Sequence, residues 1–203
     1  MARGSRYHCR SGACCLSILL HVQMKLTIGI DPGASGGIAF IPDNNPAKAW
    51  AVKMPETLGD LQEQMEEIKQ MAFDDVCEQM SVIPRDVFWR NFDKKILTLD
   101  VKLTPTARIH ACLEKVHSMP GQGVASSFKF GQGFGHLEMA LTAARIPFTY
   151  VTPQKWQKEL GCLTGGDKNI SKARAQQLFP HIKVTHAIAD SLLIAEYCRR
   201  TIK

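Results

Sequence analysis

With 203 residues, 45% of them hydrophobic, and a mean hydropathy of −0.11, the chain has the make-up of one folded domain with or without a tail. No apolar run approaches the roughly 18 residues of a membrane-spanning helix, so a helical membrane protein is excluded. A formal charge of +6 and a pI near 9.0 point to an anionic partner.

Residues 1–23 differ from the rest. Arg3, Arg6 and Arg10 precede a short apolar patch from Cys14 to Leu20, and no acidic residue occurs before Asp31. An Arg-bearing, acid-free leader fits a transit peptide. Met24 stands directly before the first strand-like run, however, and the favoured reading is an upstream start or added extension, disordered, ahead of a domain over 24–203. With those three arginines set aside, 22 basic residues face 19 acidic ones, so the domain carries only +3 and the placement of charge outweighs its total.

The domain opens on KLTIGIDPGASGGIAF (25–40). Leu26, Ile28 and Ile30 alternate as in a strand, the glycine-rich stretch after Pro32 predicts a tight turn, and Ile38 to Ile41 the returning strand. Asp31 then ends a rigid strand, where a carboxylate can bind a hard cation or orient a phosphate; taken alone, the pattern equally suits a solvated hairpin acid. Ala47 to Lys53 reads as a third strand. Thr57 with Asp60 predicts a helix start, and Leu58, Leu61, Met65, Ile68 and Met71 make one apolar face. From Glu56 to Glu78 eight acidic residues accompany one lysine, so this helix is expected to point away from nucleic acid. Residues 73–104, with Pro84, Phe88, Trp89 and Phe92, show no pattern to which chemistry can be assigned.

Arg108 to His117 predicts another strand with Glu114 near its end; beside the first strand, Glu114 would approach Asp31, while alone it is an ordinary edge acid. Ser126 to Gly135 interleaves glycines with Phe128, Lys129, Phe130 and Phe134. This suits a loop that approaches a nucleic-acid backbone and stacks bases, or equally a turn with its phenylalanines in the core. A helix after it would bury Leu137, Ala140, Leu141 and Ala144. Ile146 to Val151 reads as a strand, and Thr152 before Pro153 as a helix start. Between Tyr150 and Lys183, the cations Lys155, Lys158, Lys168, Lys172, Arg174 and Lys183 oppose only Glu159 and Asp167, which makes this the best phosphate-contact stretch. The last helix, from Thr185, turns Ile188, Leu192, Leu193 and Ala195 to the sheet and sets His186 and Asp190 at i and i+4 on one face. An aspartate in so apolar a helix is costly unless a charged or polar group meets it, and a metal ion would. Seven cysteines (9, 14, 15, 77, 112, 162, 198) show neither a CxxC pair nor metal-ligand spacing, and their odd number suits reduced thiols.

Asp31, Glu114 and Asp190, with His186 adjacent, would form an oxygen-rich site suited to Mg²⁺ or Mn²⁺ over Zn²⁺ if the fold brings them together. Two such ions about 3.5–4 Å apart can activate a water and stabilise the leaving oxygen of a phosphodiester.

Five segments in order, IGIDPGASGGIAF (28–40), CLEKVHSMPGQGVASSFKFGQGFGHLE (112–138), IPFTYVTPQKWQKEL (146–160), SKARAQQLFP (171–180) and THAIADSLLIAEYCRR (185–200), resemble the RuvC-like Holliday junction resolvases, in particular the compact phage and organelle branch. The resemblance implies an α/β, ribonuclease H-like fold: a central mixed five-stranded sheet flanked by helices. It also implies a Mg²⁺-dependent crossover junction endodeoxyribonuclease that works as a homodimer on four-way DNA. By motif, Asp31 matches the first-strand metal ligand, Glu114 the second-strand ligand, Asp190 the final-helix ligand and His186 the partner before it. Bacterial members usually place that partner three residues before the aspartate; here the interval is four. Lys158, Lys168 and Lys172 compete for the role of a basic residue at the scissile phosphate. Phe128, Phe130 and Phe134 lie where relatives contact bases near the junction centre.

Three other readings fit parts of this sequence. An actin-like or sugar-kinase ATPase shares the DxGxSGG hairpin but needs a second phosphate loop and a duplicated domain, which this chain lacks. A junction-binding module without catalysis has no need of three carboxylates. A nuclease of the same fold acting on flaps or other branched DNA remains open at this level. The expected location is the cytoplasm of a bacterial or phage-infected cell, or an organelle if residues 1–23 are a transit peptide.

Overall fold

The computed structural model describes residues 23–81, 106–117 and 121–202. Strands β1 (Gln23–Asp31), β2 (Gly37–Pro42), β3 (Trp50–Lys53), β4 (Thr106–Glu114) and β5 (Phe148–Val151) form one sheet in the order β3-β2-β1-β4-β5. β1, β2 and β3 run as an antiparallel meander, while β4 lies parallel to β1 and β5 parallel to β4. The helices are α1 (Leu58–Ser81), α2 (Val124–Ala143), α3 (Pro153–Glu159), α4 (Lys168–Leu178) and α5 (His186–Thr201). The expected mixed five-stranded α/β sheet is therefore present.

Strict alternation along the strands builds two cores. Leu26, Ile28, Ile30, Ile38, Phe40, Ala111 and Leu113 face α1 and α2, meeting Leu61, Met65, Ile68, Leu137 and Leu141. The intervening residues face α5, where Ala39, Ile41 and Cys112 meet Ala189, Leu192, Leu193 and Ala195, with α3 and α4 sealing the edge through Trp156, Leu160 and Ala175. α5 lies hard against β1 at Gly29. A β-carbon there would fall 2.1 Å from the Ala195 backbone nitrogen and 2.2 Å from the Ser191 carbonyl oxygen, so only glycine lets the helix approach this closely.

Several local expectations hold. Thr57 and Asp60 exchange hydrogen bonds, the Asp60 amide donating to Thr57 Oγ1 at 3.1 Å and the Thr57 amide to Asp60 Oδ2 at 3.2 Å, as a capping box does. Thr152 does precede α3 and Pro153 does begin it, although the Thr152 side chain makes no capping bond. Cys112, Cys162 and Cys198 are free and buried. Among the described residues no helix is long and apolar enough to cross a membrane.

Three expectations need correction. The third strand covers only Trp50–Lys53, because Pro46–Lys48, with proline's fixed φ at the start, form a short 3-10 helix ahead of it. On α1, Leu61, Met65 and Ile68 are buried as expected, but Leu58 and Met71 stand exposed and Ala72 takes the next buried position. The segment 126–135 is not a loop: it lies within α2. Phe134, Leu137 and Leu141 recur at helical spacing toward the core, and none of Gly131, Gly133 and Gly135 takes a positive φ. Tertiary burial of that stripe overrides the low helix propensity of three glycines. Pro84, Phe88, Trp89 and Phe92 lie outside the described residues.

Candidate active site

Asp31 and Glu114 are the last residues of adjacent parallel strands, and the register that pairs Ile30 with Leu113 brings both to the same edge. By alternation both belong to the face covered by α5, since Thr27, Gly29, His110 and Cys112 share their parity. Asp190 lies in the second turn of α5, at the end of that helix nearest the turn after β1. Three separate segments therefore deliver carboxylates to one end of the sheet, which a one-residue slip of β4 would undo by turning Glu114 to the opposite face.

The three acids act on one another's charge. Burial pushes Asp31 up from its ordinary 3.8 to about 8, helped by Glu114 and then Asp190, while Lys168 pulls the other way. Glu114 is raised by burial and by Asp190, partly offset by a hydrogen bond from Trp156. Asp190 is also raised by burial, against the pull of a Ser171 hydrogen bond, Lys168 and His186. Among the described residues, no group of three or more His, Cys, Asp or Glu side chains is gathered closely enough to hold an ion as it stands. The donor chemistry nevertheless fits a hard cation: half-buried oxygens, mutual repulsion, and one buried oxygen, Asp190 Oδ1, without a hydrogen-bond partner among the described residues.

Two supporting residues escaped the sequence reading. Trp156 is buried, and its indole N–H donates to Glu114 Oε1 at 2.8 Å, holding that carboxylate from the first turn of α3. Ser171, also buried, bonds Asp190 from α4. The available signal was the tryptophan itself, since a buried indole N–H seeks an acceptor; Ser171 gave none.

The remaining singled-out residues separate by position. His186 opens α5, exposed, one turn before Asp190 and close enough to act on its charge. Lys168, the first residue of α4, stands within charge reach of both Asp31 and Asp190, which distinguishes it from Lys158 and Lys172. Lys155 and Lys158 are exposed on α3 and Lys172 half-buried on α4. Arg174 is tied into the scaffold, its Nε donating to the Leu160 carbonyl at 3.0 Å. On α2, Phe128 is 72% exposed and Lys129 is exposed beside it. Phe130 covers the turn after Asp31: a β-carbon on Gly33, whose φ is +115°, would come within 3.2 Å of its ring. Phe134 packs inward, stacked on Tyr150 with ring centres 6.2 Å apart.

No protein-family model matches the sequence, and no curated protein matches it. Among solved structures, RuvC of Thermus thermophilus in complex with a Holliday junction substrate superposes with a TM-score of 0.50, covering 88% of this chain and 96% of that one at 14% identity. The fold is ribonuclease H-like. A second structure of Thermus thermophilus RuvC gives a TM-score of 0.47 over 86% of this chain and 95% of that one, at 15% identity. In this ribonuclease H-like chain the carboxyl ends of β1 and β4 and the amino end of α5 are brought together, at the carboxyl edge of the parallel strands where α/β sheets commonly seat their ligands.

Proposed function

We propose that the protein is a structure-specific DNA endonuclease that resolves Holliday junctions by two-metal-ion phosphodiester hydrolysis, acting as a homodimer that nicks opposing strands symmetrically. The observation that carries this reading is the convergence of Asp31, Glu114 and Asp190 on one face, each raised in pKa and one with an unpartnered buried oxygen. Within that reading we assign it to the compact phage and organelle type of resolvase, supported by the resemblance of the five sequence segments to that branch.

In this reading Asp31, Glu114 and Asp190 would hold Mg²⁺, or Mn²⁺ in its place, with His186 as the fourth donor one turn before Asp190. Bound there, the cations would supply a nucleophile at neutral pH and neutralise the departing oxygen. Asp31 orients the attacking water in line with phosphorus, leaving 5′-phosphate and 3′-hydroxyl ends. Trp156 and Ser171 position the Glu114 and Asp190 carboxylates. Lys168 draws the scissile phosphate to the acids, while Lys155, Lys158 and Lys172 contact neighbouring phosphates from α3 and α4. Exposed Phe128 offers a stacking face to an unpaired base, with Lys129 on the backbone beside it.

The test is cleavage of a synthetic four-way junction, beside duplex and flap controls, in Mg²⁺ and in EDTA. Paired, symmetric, metal-dependent nicks on the junction are expected, and Asp31→Asn should abolish them while keeping junction binding. Normal cutting by Asp31→Asn would end the two-metal reading. Equal cutting of flaps and junctions would remove the resolvase assignment and leave a branched-DNA nuclease. Tight junction binding without cutting in either metal would leave a binding module.

A further inference from the structure

We propose that the end of the sheet opposite the carboxylates carries a second, non-catalytic binding site for a small phosphorylated organic anion of nucleotide size. A cavity of about 380 Å³ lies there, at the start of the parallel strands β1, β4 and β5. It sits some six residues back along β1 from Asp31, roughly 20 Å at the usual rise of a strand.

The charge of its wall is one-sided. Lys25, Lys69, Arg108, His110 and Arg145 line it, and no acidic side chain among the described residues does. Lys69 is shared with Glu66 at 3.5 Å, and Lys25 donates to the Ile202 carbonyl; Arg108 and Arg145 are both exposed to whatever enters. With Lys69 offset by Glu66, three further permanent cations around one concavity still repel each other, and arginine and lysine together suit the several oxygens of a phosphate. Arg145, at φ +55°, is the left-handed residue that ends α2: its amide donates to the Thr142 carbonyl at 3.0 Å and the Ile146 amide to the Leu141 carbonyl at 2.9 Å, and this turn sets Arg145 on the cavity wall.

Size and lining narrow the ligand class. The volume falls within the roughly 300–1,000 Å³ of small-molecule sites and exceeds the needs of a bare ion. Ile109, Ile146 and Pro147 form an apolar wall beside the cations. A flat organic group can lie on that wall while its phosphate meets Arg108 and Arg145. The inference does not rest on the nuclease reading, because no carboxylate of the candidate active site takes part.

His110 supplies a local reporter. Burial and the Lys25 cation hold its imidazole below the ordinary histidine value, so the ring is neutral near pH 7 and an arriving anion shifts its resonances. The experiment titrates the full chain with AMP, inorganic phosphate and a short DNA duplex, following the His110 ring by NMR in EDTA so that no cation bridges phosphate to the active site. Saturable shifts with AMP are expected at lower concentration than with inorganic phosphate. Arg145→Gly and Arg108→Gln should each weaken AMP by about tenfold, the loss of one charge-assisted contact. Arg145→Gly is the variant safe for folding, since glycine takes φ +55° freely and its unfolding midpoint should not fall. A His110 ring unmoved by AMP, or AMP affinity unchanged in both variants, would overturn the proposal. So would inorganic phosphate binding as tightly as AMP, which would leave the apolar wall without a role, or a response to duplex alone, which would make the cavity part of a DNA-backbone surface.

Discussion

At the scale of single residues, the candidate active site depends on groups that hold carboxylates rather than on the carboxylates alone. Trp156 donates to Glu114 Oε1 from a fully packed indole, whose N–H would otherwise be buried without a partner. Trp156→Phe keeps most of the packing and leaves Glu114 Oε1 unpaired, at a cost of about 1–3 kcal/mol. The expected result is a lower unfolding midpoint together with slower junction cleavage at unchanged junction affinity. A midpoint shift with full cleavage would make Trp156 a packing residue and nothing more. Lys168 shows the same principle for cations. In the sequence it is one of several lysines in a basic stretch, and only its approach to Asp31 and Asp190 separates it from the others.

At the scale of elements, two helices owe their places to opposite uses of glycine. Gly29 admits α5 to the sheet, and Gly29→Ala would force a methyl into the Ala195 and Ser191 backbone. Backbone cannot swing aside as a side chain can, so a loss of about 3 kcal/mol or more is expected, read as a fall in the denaturant midpoint. α2 is the reverse case. Gly133 lies in mid-helix with open space where a β-carbon would sit, and its φ is not positive. Gly133→Ala should stabilise the fold by about 0.5–1 kcal/mol. If the added methyl stabilises the fold while weakening junction binding, the glycines of α2 serve close approach to DNA; if binding is unchanged, they are tolerated rather than used.

At the scale of the whole molecule, buried charge predicts how stability follows pH. Asp31 sits near 8 in the fold against 3.8 ordinarily, so between those values the folded chain holds a proton that the unfolded chain has lost. Stability from this group is complete below about 4 and is lost as pH rises toward 8. Glu196 works in the other direction. Burial alone would raise it, but hydrogen bonds from Arg199 at 2.8 and 2.9 Å and from Arg200 at 2.7 Å outweigh that and hold it below its usual 4.5. Its contribution is present above 4.5 and disappears as pH falls through the depressed value. The metal-free protein is therefore expected to be most stable in mildly acid solution and less stable at pH 8, measured by thermal unfolding in EDTA. Excess Mg²⁺ at pH 8 should recover the loss by offsetting the repulsion among the carboxylates. A flat profile across that range, with no response to Mg²⁺, would show that the three acids are not coupled in the free protein.

Much of the fold was legible because it rests on local and periodic signals. Alternating Leu26, Ile28 and Ile30, the turn after Pro32, the capping pair Thr57 and Asp60, and Thr152 before Pro153 each act over a few residues, so the chain itself determined those strands, turns and helix starts. The same local signals failed over 126–135, where glycine composition suggested a loop and a core-facing stripe of Phe134, Leu137 and Leu141 made a helix. What only the tertiary structure decided is which distant side chains meet. The pairing of Ile30 with Leu113 sets Glu114 beside Asp31, Gly29 lets α5 bring Asp190 to the same end, and α3 and α4 supply Trp156, Ser171 and Lys168. None of these contacts joins neighbours in sequence, and each depends on strand register and helix approach, which a single stretch of chain does not encode.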